Sequence, residues 1–181
     1  MAQNLIDTLQ WQFRLTWKLA ADHHLPQLTN EACLWKPMTG SWTVHPLPDG
    51  RWSHDWSESE PSPVPTVTIG WITWHIIWWW SGLIAASKGD LPNFHDAVDW
   101  PGSAASVRDT LERLAKEWSD ILSGLNDTDL ERPFAYPWPE PQPLRHAIAW
   151  ANSELMKNIA EIGVVHHIFE NARFHEQKKE A

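Results

Sequence analysis

Four stretches of the chain repeat their apolar residues at the spacing of a helix. In residues 3–24, Leu5, Leu9, Phe13, Trp17 and Ala20 recur at four- and three-residue steps, while Asp7, Gln10, Arg14 and Lys18 take other faces. Pro26 ends that run. A second helix is predicted from Thr66 or Thr68, either able to accept the free N–H groups of a first turn, to Gly89 just before Pro92. Its Gly70-to-Trp80 segment is apolar on nearly every side, so it is expected to be the most buried element. The third starts at Ser103 after Pro101-Gly102 and ends at Gly124, with Val107, Leu111, Leu114, Trp118, Ile121 and Leu122 as its inner stripe. The fourth opens at Pro143, a good first helical residue. It runs through Ile148, Leu155, Ile159, Ile162 and Val165 toward Phe169, fraying into Gln177-Lys178-Lys179-Glu180.

The connections differ in kind from the helices. Residues 34–66 carry Pro37, Pro46, Pro48, Pro61, Pro63 and Pro65 with Gly40 and Gly50, yet also hold Trp35, Trp42, Trp52 and Trp56. That is too much apolar surface for a solvated linker, so this is expected to be an ordered loop pinned to the body by its tryptophans. A second such loop, Asn126 to Pro141, carries Phe134, Tyr136 and Trp138. No convincing strand pair, internal repeat or low-complexity tract is visible. The expectation is all-α: one domain over 1–181, a four-helix bundle with long tryptophan- and proline-rich connections. Two separate helical hairpins would leave the second helix's all-round apolar surface uncovered.

Composition sharpens this picture. Fifteen tryptophans in 181 residues are several times an ordinary domain's share. Fourteen Lys plus Arg against twenty-three Asp plus Glu leave a net charge of −9, which argues against a binder of nucleic-acid phosphates and against anionic membranes. Ile69 to Ala86 lacks any Asp, Glu, Lys or Arg and has the length of a membrane span. His75 at its centre, Thr73, Ser81 and five tryptophans spread along it favour a buried central helix. Met1 to Asp7 lacks the basic and apolar regions of a secretory signal, so a cytoplasmic protein is expected.

Few residues invite chemistry. There is no phosphate-cradling glycine loop, H-E-x-x-H, paired-cysteine site or G-x-S-x-G elbow, and no catalytic residue is assigned. Cys33, the single cysteine, reads as an inert thiol. His75 needs a partner for its ring nitrogens: as a core histidine it would bond a carbonyl or carboxylate, and as a functional one it would hold a metal or act as a base. Glu154, Asn158 and Glu161 recur on one face of the fourth helix, flanking its apolar stripe. They read either as a solvated edge, with Lys157 pairing Glu154 or Glu161, or as a polar seam pointing into a cavity. His23-His24 and His166-His167 are adjacent pairs that cannot readily chelate one ion, and His45 and His54 lie where they could cover a pocket mouth. Surface decoration is the plainer reading for all six.

The helix order, the long connection after the first helix, His75 and the segment Asn152-Ser153-Glu154-Leu155-Met156-Lys157-Asn158-Ile159-Ala160-Glu161-Ile162 resemble the DinB-like superfamily. Trp35-Lys36-Pro37, Ser41-Trp42-Thr43-Val44-His45, Asp55-Trp56 and Thr68-Ile69-Gly70-Trp71 resemble a tryptophan-rich branch of it. The likeness extends from about Leu5 to Phe169. It implies a four-helix bundle with a long crossover between the second and third helices or beside it, and a bacterial, cytoplasmic homodimer. It also implies a divalent ion, Zn or Ni in many members, held by one histidine of the second helix and an H-x-x-x-H pair of the fourth. Such an ion activates a low-molecular-weight thiol in transferase-type reactions.

Carried over by position, the ligand set becomes His75, Glu154 and Asn158, four residues apart on the last helix as required. Neither of the last two is histidine. The resemblance therefore implies a degenerate site, with one divalent ion (Zn, Ni or Mn) held weakly, or lost so that His75 bonds Glu154. The cleft is expected to be lined by Trp42, His45, Trp71, Trp79, Asn152 and Glu161. Two functions follow as expectations: a metal-dependent thiol-transferase-type enzyme, or a non-catalytic dimer that binds a small molecule or serves a structural role in stress.

Overall fold

A computed structural model describes residues 4–59, 61–90 and 98–180. Gln3 and Pro92, named in the expectations for the first two helices, lie outside the described residues. α1, Leu5–Thr16, begins where the Asp127 carboxylate accepts the N–H groups of Leu5 (3.1 Å) and Ile6 (2.9 Å), an anion placed on free helical donors. It continues through a π-helical turn, Trp17–Ala21, a short helical stretch, Asp22–His24, and a 3-10 turn, Leu25–Gln27, which contains Pro26. The inner stripe is Ile6, Leu9, Phe13, Thr16 and Ala20, whereas Leu5, expected inside, is exposed. A short helix not expected from the sequence, α2, Asn30–Leu34, follows, capped by Thr29.

The connection to the second long helix corrects the expectation of no strand pair. β1, Val44–Pro46, and β2, Trp52–His54, pair antiparallel with His45 opposite Ser53. Their turn carries Gly50 at φ +85°, a conformation that suits glycine. Three-residue strands are too short to display an alternation in sequence. The four tryptophans of this connection all rest on partners: Trp35 on Phe169, Trp42 on Trp71, Trp52 on Trp100, and Trp56 on Trp74 and Trp78.

α3, Ile69–Ser87, starts at Thr68, whose hydroxyl accepts the Trp71 N–H, so Thr68 rather than Thr66 is its cap. It ends before Gly89, at φ +94°. Among the described residues no helix is long and apolar enough to cross a membrane. α4, Ala104–Ser123, is capped by Ser103 and buries Val107, Leu111, Leu114, Trp118 and Leu122. A second small antiparallel pair, β3 (Pro133–Phe134) with β4 (Gln142–Pro143), precedes α5, Leu144–Glu180. Pro143 therefore closes a strand, and the helix opens one residue later than expected.

α3 packs against α2, α4 and α5, and α1 packs against α4 and α5. Among the described residues the fold is mostly helical, with two small strand pairs, which is consistent with the expected all-α class. The core centres on α3, where Ile69, Ile72, Ile76, Trp80 and Leu83 are almost fully enclosed. Trp71, His75 and Trp78 occupy its one half-buried face.

Candidate functional site

His75 stands one turn after Trp71 and just under a turn before Trp78, so all three rings share a face of α3. The Trp71 ring lies nearly parallel to the imidazole, 5.2 Å between centroids and 9° between planes, with Trp78 at 5.8 Å and Trp74 at 6.3 Å. Nδ1 is enclosed and has no hydrogen-bond partner. Burial pushes the imidazole pKa down to about 4, helped by the Lys157 ammonium and opposed by Glu154 and by a hydrogen bond with Asn158. His75 is therefore neutral at pH 7.

α5 supplies the groups opposite. Glu154 is half-buried, and its Oε2 lies 2.6 Å from the Lys157 ammonium. Asn158, 2% exposed, is engaged at both ends of its amide: Oδ1 accepts the Trp79 Nε1–H at 3.2 Å, and Nδ2 donates to Glu161 Oε2 at 3.2 Å. Both readings of the polar seam thus hold in part. Lys157 does pair Glu154, and Asn158 does point inward.

The remaining expected lining residues divide. Trp42 rests on Trp71 at 5.6 Å and bridges to Val67 through its backbone. His45 reaches the site at second hand: its Nε2 is 2.9 Å from Asp55 Oδ1, Asp55 Oδ2 accepts the Thr43 N–H, and the Asp55 carbonyl accepts the Trp71 indole N–H at 2.7 Å. Trp79 is buried beneath the site, its carbonyl accepting the Tyr136 hydroxyl. Asn152 belongs elsewhere, and its expected place in the cleft is corrected. Two residues before Glu154 is roughly 200° around a helix, and Asn152 Nδ2 donates to the Leu9 carbonyl and to Gln12 on α1.

An open groove of about 490 Å³ adjoins this polar group. α5 contributes Ala160, Val164, Val165 and Ile168, the connection contributes Pro37, Thr66 and Val67, and Lys157 and Glu161 line it as well. Val164 is 60% and Ile168 48% exposed, so among the described residues nothing buries these large apolar groups. Sequence reading missed the groove, although Ala160, Val164 and Ile168 recur every four residues beside the main stripe.

Other candidates are placed plainly. The Cys33 thiol is buried, and burial pushes its pKa up to about 12, so it is a poor nucleophile. His54 stacks on Trp74 with centroids 3.5 Å apart. His24 lies 4.8 Å from His23 and 6.1 Å from His167, ring to ring, bringing together pairs that the sequence treats separately. Among the described residues no group of three His, Cys, Asp or Glu side chains is arranged to hold a metal ion. His75 and Glu154 supply two such groups, and Asn158 is an amide.

A family model of the DinB superfamily matches residues 12–162. No curated protein and no solved structure matches the chain. The match spans most of its length, and the chain belongs to the DinB superfamily.

Proposed function

We propose that this DinB-superfamily chain is a single-domain four-helix bundle that binds a small amphiphilic molecule, its metal site having degenerated to weak binding or none. The observation that carries the reading is the groove of about 490 Å³, apolar along its length and meeting the polar group of Lys157, Asn158 and Glu161. Volume, apolar lining and a few polar anchors are what a small-molecule site requires. The donor chemistry supports the loss of metal. Glu154 is neutralised by Lys157, Asn158 is a neutral amide whose oxygen already takes an indole N–H, and neither residue supplies the imidazole of a three-histidine set. The same reading takes the chain as a cytoplasmic homodimer.

The test uses Nile red, an uncharged apolar dye. About one dye per chain is expected to bind with enhanced emission, and Ala160→Trp, which fills the groove from an exposed position, is expected to abolish it. No binding, or equal binding by the variant, counts against the reading.

A second reading keeps the ion. His75 is neutral, as a metal ligand must be, and faces Glu154 and Asn158 at the spacing of the family pair. A divalent ion there would supply Lewis acidity toward a thiol. Elemental analysis of untagged protein prepared without chelator decides between the two. One ion per chain, lost in His75→Ala, favours the enzyme; none after soaking with Mn, Ni and Zn favours the binding protein.

A further inference from the structure

Resting on the amphiphile reading above, we infer that the ligand of the α5 groove is a free organic amine with a single apolar chain, its ammonium held by the Glu161 carboxylate. The inference comes from charge accounting at the groove. Its ionisable lining residues are Lys157 and Glu161. Lys157 is committed, its ammonium 2.6 Å from Glu154 Oε2. Glu161 receives one neutral N–H, from Asn158, and among the described residues no cation. The groove thus ends at one uncompensated negative charge, on a chain whose net charge is −9.

The geometry suits such a head group. An ammonium carries three donors and no acceptor, and a carboxylate with an unoccupied oxygen is its natural partner. Asn158 Nδ2 holds Glu161 from one side, and Asn158 is fixed in turn by Trp79, so the carboxylate is steadied at the groove. A fatty carboxylate would instead meet Glu161 as a like charge and would have to draw Lys157 away from Glu154. An uncharged alcohol would gain the apolar contact alone. The apolar chain would lie along Ala160, Val164 and Ile168, whose four-residue spacing makes one continuous strip along the helix.

The experiment measures displacement of Nile red from the full chain by dodecylamine, 1-dodecanol and dodecanoate at pH 7. Dodecylamine is expected to bind about two- to fivefold more tightly than the alcohol, and dodecanoate more weakly than either. Glu161→Gln, isosteric and still able to accept from Asn158, is expected to erase the amine's advantage while leaving dodecanol unchanged. Lys157→Met, which frees Glu154, is expected to increase the advantage. Nile red that binds and is displaced equally by amine and alcohol, or an advantage that survives Glu161→Gln, overturns the head-group inference and leaves the amphiphile reading standing. No binding of the dye or of any of the three, together with a dimer that Ala160→Trp dissociates, overturns both, because a second copy then covers the groove.

Discussion

His75 and His24 are both held below the ordinary histidine pKa, and in both burial is the leading cause. What lies around them differs. At His75 the next contributor is a single ammonium, Lys157, opposed by Glu154 and Asn158. At His24 it is a set of imidazoles, His23, His167 and His166, with no carboxylate opposing them. His75 sits over a fully packed layer in which Trp79 bonds Asn158 and Tyr136 bonds the Trp79 carbonyl. His24 lies half-exposed on bare backbone at Gly163, where an added Cβ would meet its Cε1 and Nε2 at 2.6 Å. The same direction of shift thus marks a candidate site in one place and a surface contact in the other. The packing beneath separates them.

The strongest way to break this contrast is to remove the layer under His75. Trp79→Ala is expected to cost about 3–5 kcal/mol in urea denaturation, through the cavity and the lost Asn158 bond. Trp56→Ala, at a ring 53% exposed, is expected to cost below about 1 kcal/mol. Equal costs for the two would mean that Asn158 and Trp79 are not the support of the site.

Acid comes next. Unfolded, His75 takes up a proton near 6.5, whereas folded it does so near 4, so the unfolded chain binds more protons in between. Its contribution is fully present above about pH 6.5 and is lost as pH falls toward 4, a swing on the order of 3 kcal/mol. His75→Leu is expected to flatten the stability profile in that window. His24→Gln is expected to flatten it in the same direction by less, since His24 is only half-buried. If His24→Gln had the larger effect, the four-imidazole patch, rather than the tryptophan recess, would dominate acid sensitivity.

Two glycines give the finest comparison. In Gly82→Ala the new Cβ would lie 2.8 Å from the Tyr136 hydroxyl, which is itself bonded to Trp79, and a cost of about 1–3 kcal/mol is expected. In Gly163→Ala the obstacle is the end of a half-exposed imidazole that can swing outward, and the alanine favours the helix. Thermal melting is expected to show a change within about 1 kcal/mol of zero. A large loss at Gly163 would show that the histidine patch is a rigid part of the fold.

Some residues of the candidate site stood out in the sequence and others did not, for reasons visible in particular residues. His75 stood out because a polar ring in an apolar helix is conspicuous, and Glu154 and Asn158 because helical spacing puts them on one face. Asn152 was misplaced because proximity along the chain is not proximity around a helix, and its amide serves α1. The Trp79–Asn158 bond joins residues 79 positions apart, which no local pattern encodes. The groove escaped notice because a third of its lining residues, Pro37, Thr66 and Val67, comes from an aperiodic connection.

The sequence by itself determined roughly where the long helices run and placed the starts of α3 and α4 at Thr66 or Thr68 and at Ser103, for these depend on neighbours within a turn or two: Thr68 and Ser103 each accept an N–H three residues on. It determined too that the chain is acidic and that α3 lies inside. Only the tertiary structure decided which face of α3 stays half-open, which α5 amide turns inward, and where two three-residue strands pair. Those outcomes depend on which surfaces meet across the chain, and the free energy of burial is realised only when they do.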